Sequence, residues 1–557
     1  MAITRTSDTW WKNAVFYCLD VETFQDGNGD GIGDFRGLME RIDYLAGLGV
    51  TCLWLMPFYP TPNSDDGYDI TDYYSVDPRL GSLGDFVELV RLANDRGMRV
   101  IADLVVNHTS RDHPWFQSAR SDPKSPYRDW YVWSDQIPEG DKQSGLVFPD
   151  KEDSNWEWDD QAKQYFLHRF YKYQPDLNIS NPAVRDEIGK IIGFWLELGL
   201  SGFRVDAVPF LLETIGIKAR MDVLPHDWLR ELRSFMGRRR GDAILMGEVN
   251  LEPEEVRRFF GDDGDELHMC INFNLNQSFA MALARGDASG LIHGLRALPT
   301  LPEDCQWGNF IRNHDEWSLD KLTEAERAEV FREFGPKEEM QLFGRGLRRR
   351  LPTMLNGDEA RIRMAYSLMF SFPGAPVLFY GEEIGMSENL AIPGRLSVRS
   401  PMQWSDEVNG GFSTADAKLL RRPVVSGKRW GPASINAAAQ RRDDGSMLNW
   451  IERLIRRRRE TPEIAYGKWS IVPVTDPAVF ALRYDWDDRT VLTVHNLGGK
   501  SCGANFKVEN TLGWDSLVDL FGRGDFTLDK DGTVSIHLDR YGCRWFRVRR
   551  KGETILL

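Results

Sequence analysis

The chain has 557 residues, 42% hydrophobic and 12% aromatic, so it can bury a large core and is too long for one ordinary domain. Its formal net charge of −15 repels phosphate backbones and argues against nucleic acid as a partner. No run approaches the roughly 18 apolar residues of a membrane span. Met1 to Thr6 leads to Trp10-Trp11 without an apolar signal core, so a soluble cytoplasmic protein with no membrane partner is expected.

The first signal in chain order is Asp26-Gly-Asn28-Gly-Asp30-Gly-Ile32-Gly-Asp34. Oxygen side chains at positions 1, 3, 5 and 9, Gly at 6 and a main-chain carbonyl at Ile32 follow a calcium loop. Position 12 is Gly37 rather than the bidentate Glu of an EF-hand, so a structural Ca²⁺ is expected, with Mg²⁺ as the alternative occupant.

A repeating unit follows. Leu38, Ile42, Leu45 and Leu48 have helical spacing, Gly49 ends the helix, and Val50 to Met56 reads as a strand. Phe86, Leu89, Val90 and Ala93 define the next helix face, Gly97 ends it, and Arg99 to Val106 is the next strand. The same pattern gives a helix over 183–198 and strands at 202–206, 244–246, 310–311 and 375–380. Continuous apolar strands alternating with amphipathic helices predict a parallel sheet wrapped in helices, closed as a (β/α)₈ TIM barrel.

Between His108 and about Tyr173 the texture changes to Trp, Tyr, Asp, Ser and Pro without a clean helical period, and reads as a subdomain inserted after the third strand. From Lys468, short alternating runs separated by Asp/Gly turns predict a C-terminal antiparallel β-sandwich. The expected division is barrel 1–108, subdomain 109–173, remainder of the barrel 174–467 and sandwich 468–557. The runs Arg348–Arg350 and Arg456–Arg459 read as solvated helix faces or as partners for the many acids. Six cysteines lack CxxC spacing, and Cys18 and Cys52 sit in apolar runs, which predicts buried thiols. The 19 Trp read first as core and second as platforms for sugar rings.

Barrel strands deliver the groups at their C-terminal ends to one face. Those ends carry His108, Arg204, Asp206, Glu248, His314 and Asp315. One ionised carboxylate that attacks an anomeric carbon and one protonated carboxyl that releases the leaving oxygen are what retaining acetal hydrolysis needs. Arg204, two residues before Asp206, faces the same side and keeps that carboxylate ionised.

Asp103-Leu-Val-Val-Asn107-His108, Gly202-Phe-Arg-Val-Asp206, Gly247-Glu248-Val-Asn250 and Arg312-Asn-His314-Asp315 resemble, in order, the four motifs of the α-amylase family, glycoside hydrolase family 13. Gln174-Pro-Asp-Leu-Asn178 resembles its inserted-subdomain motif, and Pro373 to Met386 its last barrel strand. The resemblance implies Asp206 as nucleophile, Glu248 as general acid/base and Asp315 as third carboxylate. It implies His108 and His314 on the same sugar ring, Asp65 and Tyr68 closing the glucose pocket, and Arg399 as a salt-bridge partner of Asp65 that blocks the non-glycone end. Asn107 and Asp176 resemble a second calcium site.

Asn107 to Phe116, Tyr131-Val-Trp-Ser134, His168-Arg-Phe170 and Gln174 to Asn178 resemble trehalose synthases, and the 26–34 loop resembles that of oligo-1,6-glucosidase-like members. Val208-Pro209-Phe210 stands where polysaccharide-acting members of the family carry a Lys-His pair, which with Asp65 and Arg399 implies small α-glucosides as substrates: maltose, trehalose, sucrose or short oligosaccharides. The first reading is a retaining hydrolase or transglucosylase, with maltose–trehalose isomerisation as the alternative and a non-catalytic carbohydrate-binding barrel third. Departures from the trehalose synthase pattern concentrate at Ile217–His226, Gly247–Asn250 and Asn272–Asn276. Nothing in the sequence sets an oligomeric state.

Overall fold

The structure is a computed structural model that describes residues 9–138, 145–212, 225–508, 513–522, 524–529 and 532–552. Eight parallel strands close into a barrel: Phe16–Leu19, Cys52–Leu55, Arg99–Leu104, Gly202–Val205, Ile244–Gly247, Met269–Ile271, Gln306–Phe310 and Ala375–Phe379. Each pairs with its sequence neighbours, and the first closes on the eighth, with Tyr17 opposite Leu53 on one side and Leu378 on the other. Apart from Arg99, every residue of these strands is buried, which is why they read as continuous apolar runs.

The first and sixth strands were not among those expected. Each follows an element too short to print a helical period, the 3₁₀ turn Trp10–Asn13 before the first and the six-residue helix Pro253–Arg258 before the sixth.

Local sequence explains the helix ends. Ile42–Leu48 stops at Gly49, whose φ of +92° suits glycine. Leu83–Asp95 begins with a capping box between Ser82 and Asp85. Pro182–Glu197 begins at Asn181, whose side chain accepts from the Ala183 N–H. Gly202 starts the fourth strand at φ +144°, and a Cβ there would lie 2.3 Å from the Ile244 carbonyl oxygen. Only glycine lets strands four and five approach at this point, and Asp206 leaves the same strand four residues later.

After the third strand the chain makes a helix, Pro114–Ser121, and a three-stranded antiparallel sheet in the order Trp133–Ser134, Gln164–Leu167, Trp156–Asp159. The helix did not show in the sequence because it is only two turns, with Pro at its start and the His113 ring capping the Trp115 N–H at 3.1 Å. Single bridges, His108 to Asp176 and Tyr131 to Leu177, sew this subdomain to the strand end.

The C-terminal region is a six-stranded antiparallel sheet spanning Lys468–Ile471 to Cys543–Arg550 in the chain, faced by the pair Cys502–Lys507 and Thr533–Leu538. Leu492, Phe506, Ile536 and Phe546 form a separate core between the two sheets.

Within the two arginine runs, Arg349 pairs with Glu388 and Arg457 with Glu460, as partners for acids, while two other members are buried on carbonyls. Arg350, buried, donates to the carbonyl of Tyr380 at 2.8 Å and to that of Val398 at 2.6 Å, tying the end of the eighth strand to the loop beyond it. Arg458, within the helix Met447–Arg459, is also buried and donates to Asn13 Oδ1 at 2.6 Å and Gly374 O at 2.9 Å. A guanidinium whose Nη groups meet carbonyl oxygens can be buried without a carboxylate partner, although Arg458 Nε is left without a hydrogen-bond partner. All six cysteines are free thiols, four of them buried.

Candidate active site

A cavity of about 400 Å³ opens at the C-terminal ends of the barrel strands, within the roughly 300–1,000 Å³ of small-molecule pockets. Asp65, Tyr68, His108, Asp206, Glu248 and Asp315 line it. Arg204, His314 and Arg399, also expected at the site, stand one layer behind the wall. The aromatic walls are Tyr68, Phe148, Phe170, Phe210 and Phe273 rather than Trp, so the tryptophans serve the core first.

Arg204 organises the floor. Its Nη1 lies 2.6 Å from both Asp103 Oδ1 and Asp206 Oδ1, and its Nη2 lies 2.8 Å from Glu248 Oε2. Asp103 is further held by Trp54 Nε1 at 2.9 Å. One buried cation thus serves three carboxylates. Burial raises Asp206 and Glu248 to about 6 each, and Arg204 opposes the rise in both. The next residue after Asp206, Ala207, has φ +50°, uncommon for a residue with a Cβ. Its N–H donates to Glu248 Oε2, 3.2 Å away.

Asp315 behaves oppositely. Burial works against its charge, but His314, Arg395 and Arg399 outweigh it and hold Asp315 well below the usual carboxylate range. His314 Nε2 is 3.0 Å from Asp315 Oδ2 and 2.7 Å from the Tyr68 hydroxyl. Its ring lies parallel to Tyr68 at 5.6 Å. Burial lowers both His108 and His314 to about 4, so both rings are neutral near pH 7. His108 Nε2 sits 3.1 Å from the Tyr68 carbonyl oxygen.

The expected Arg399–Asp65 bridge is replaced by a different pairing. Arg395 binds Asp65 and reaches Asp315 Oδ1 at 2.8 Å. Arg399 binds Asp66, and its Nη2 reaches Asp315 Oδ1 at 3.0 Å. The 3₁₀ turn Gly394–Val398 brings Arg395 over the pocket while Arg399 stays fully buried behind it. Arg395 is not legible from the sequence, because it sits in an aperiodic loop whose reach is set by packing. The far wall was also missed: Glu316, Ser318, Asp320, Arg345 and Phe148. Asn250 Nδ2 lies 3.2 Å from both Asp320 oxygens, and Gln277 Nε2 lies 3.0 Å from Oδ1. Residues 217–224, where the chain departs from the trehalose synthase pattern, lie outside the described residues.

The loop Asp26–Asp34 has the internal bonding of a cation loop. Asp26, Asn28 and Asp30 each accept a backbone N–H two residues on, at 3.1, 2.9 and 2.9 Å. No Lys or Arg among the described residues pairs with Asp26, Asp30 or Asp34. Asp34 is raised by burial and then by Asp26, a repulsion that a bound cation would relieve. The all-oxygen donor set fits a hard cation. Asn107 and Asp176, expected at a second calcium site, lie side by side, with the amide Nδ2 donating to Asp176 Oδ1 at 3.2 Å.

The family described as alpha amylase, catalytic domain, matches residues 21–334 and 338–467, and a sucrose hydrolase-like C-terminal domain matches residues 489–547. The trehalose synthase/amylase TreS of Mycobacterium tuberculosis (strain ATCC 25618 / H37Rv) is 40% identical over 546 residues, 97% of this chain and 90% of that protein. The trehalose synthase of Pimelobacter sp. (strain R48) is 38% identical over 557 residues, 98% of this chain and 97% of that one. Among solved structures, the trehalulose synthase MutB from Pseudomonas mesoacidophila MX-45 superimposes with a TM-score of 0.77 at 28% identity, over 97% of this chain and 99% of the other.

Proposed function

This chain belongs to the α-amylase family, glycoside hydrolase family 13, and from that premise we propose that it isomerises small α-glucosides by glucosyl transfer, as trehalose synthases do, with hydrolysis as the competing outcome. The observation that supports this reading is the ion-paired donor end of the pocket. Arg395 joins Asp65 to Asp315, a bridge that would limit the donor side to one glucose.

In the first half-reaction an Asp206 oxygen attacks the anomeric carbon, the glycosidic C–O bond breaks, and the Glu248 proton passes to the leaving oxygen. One guanidinium touching both carboxylates supports the close spacing of retaining enzymes, roughly 5–5.5 Å, over the wider spacing of inverting ones. Asp315, held ionised, accepts hydrogen bonds from the hydroxyls of the distorted sugar. His108 and Tyr68 border the same ring.

In the second half-reaction the freed glucose turns and presents its anomeric hydroxyl. That oxygen attacks the glucosyl carbon, its proton goes to Glu248, and Asp206 leaves. Maltose thereby becomes trehalose. Water in the same position gives glucose.

Incubation with maltose, trehalose, sucrose and isomaltose, followed by NMR, tests this. Trehalose from maltose, ahead of free glucose, is expected. Two glucose per maltose from the first time points would sink the isomerase reading and leave glucosyl capture standing.

A structural Ca²⁺, or Mg²⁺, held by Asp26, Asn28, Asp30, Asp34 and the Ile32 carbonyl belongs to the same proposal. It would fix the loop leading into the helix Phe35–Glu40. Chelation is expected to lower the Tm, and an unchanged Tm removes the metal. The six free thiols support a reducing, cytoplasmic setting.

A further inference from the structure

A second concavity, of about 780 Å³, lies at the opposite end of the barrel from the catalytic carboxylates. Its walls come from three parts of the chain: segments leading into the first three barrel strands, the end of the helix Met447–Arg459, and the C-terminal sheet. The helix end contributes Arg456 and Arg459, which share one face at i, i+3. Four consecutive arginines end that helix, far more charge than the roughly half-unit helix dipole calls for.

Their partners separate them. Arg458 is spent on Asn13 and Gly374, and Arg457 Nη1 pairs with Glu460 at 3.0 Å, which also neutralises the one acid on the cavity wall. Arg456 and Arg459 have no carboxylate partner among the described residues, although acids outnumber bases in the chain by 15. Among the described residues, the one side-chain bond of Arg459 reaches the Gly49 carbonyl at 3.3 Å. Opposite them are flat rings already fixed in place. Tyr466 and Trp486 stack at 5.5 Å, and the Tyr466 hydroxyl donates to Thr9 O at 3.2 Å. Trp10 donates to Asp242 O at 2.8 Å and lies under Arg99, which Asp242 also holds.

We propose that this cavity binds an organic phosphate, with the phosphoryl group on Arg456 and Arg459 and a ring against the Tyr466–Trp486 wall. Guanidinium pairs match phosphate oxygens bidentately, and the aromatic wall offers a sugar ring or a base a flat apolar face. The site shares no residue with the catalytic pocket, so it adds a ligand to the enzyme rather than a subsite to its substrate.

Calorimetric titration of the full chain, paired with tryptophan fluorescence, tests the proposal with glucose 6-phosphate, AMP and orthophosphate. One ring-bearing probe is expected to saturate about tenfold or more tighter than orthophosphate, and which one does so identifies the ring. Arg456→Ala/Arg459→Ala should weaken that binding about tenfold or more, and Trp486→Ala should weaken it and remove part of the fluorescence change. The double variant should keep wild-type circular dichroism and maltose turnover, since both side chains are exposed and remote from the pocket. The proposal is overturned if no probe saturates, if orthophosphate binds as tightly as both ring-bearing probes, or if the double variant binds as the wild type does.

Discussion

The two walls of the catalytic pocket are built on different terms. On the donor side, the charged groups are cross-tied: Arg204 to Asp103, Asp206 and Glu248, and Arg395 to Asp65 and Asp315. On the acceptor side, polar groups are left partly free. Asn250 Oδ1 is buried without a hydrogen-bond partner, and the nearest cation to Glu316 is Arg345 at 3.9 Å. A network of cross-tied charges holds its geometry before substrate arrives, even with Arg204 Nε and His314 Nδ1 unpartnered, whereas loosely tied acceptor groups wait for a hydroxyl to complete them. The donor wall therefore fixes which unit is captured, and the acceptor wall chooses what receives it.

Removing the proton donor tests the donor wall hardest. Glu248→Gln should cut maltose turnover by about 10²–10⁴-fold. With Asp206 and Glu248 both raised to about 6, the pair titrates as a unit and should give a narrow bell near pH 6. Activity falls above it as Glu248 loses its proton and below it as Asp206 gains one. The Gln variant should lose the alkaline limb, and unchanged turnover would remove Glu248 from its role.

Arg395→Ala opens the donor end while leaving the floor intact. A loss of about tenfold to a hundredfold in kcat/KM for maltose is expected, with a smaller loss for maltotriose. Equal losses on both sugars would show that Arg395 does not close the pocket.

The gentlest probe lies on the acceptor wall. Asn250→Ala should shift the trehalose-to-glucose ratio toward glucose about fivefold, the value of one hydrogen bond near 1 kcal/mol. The rate of glucosyl capture from glucosyl fluoride should hold. A fall in capture with no change in ratio would place Asn250 on the donor side instead.

The same division governs what the sequence reveals. Asp206, Glu248 and Asp315 follow apolar strands within a few residues, so the continuous apolar runs locate them. Asp65 and Tyr68 are legible because a short motif carries both. Arg395 is not legible, because a 3₁₀ turn four residues before Arg399 decides which of the two reaches Asp65. Asp320 and Arg345 sit on irregular connections around the seventh strand's exit, where neither period nor motif points inward. Arg350 and Arg458 mislead for a related reason: composition shows a charge run, and only tertiary structure shows the carbonyls that let it be buried. The short first and sixth strands are known only from their partners.

The left-handed turn at Ala207 gives the acid a preferred side. Glu248 Oε2 already receives two donors, the Ala207 N–H and Arg204 Nη2. A proton arriving at this carboxyl therefore settles on Oε1, the oxygen with neither donor. The address is written in main chain, so an exchange of Ala207 for glycine leaves it unaltered. Proline would erase it, because it removes the N–H and forbids the φ, and a β-branched side chain would strain the same φ.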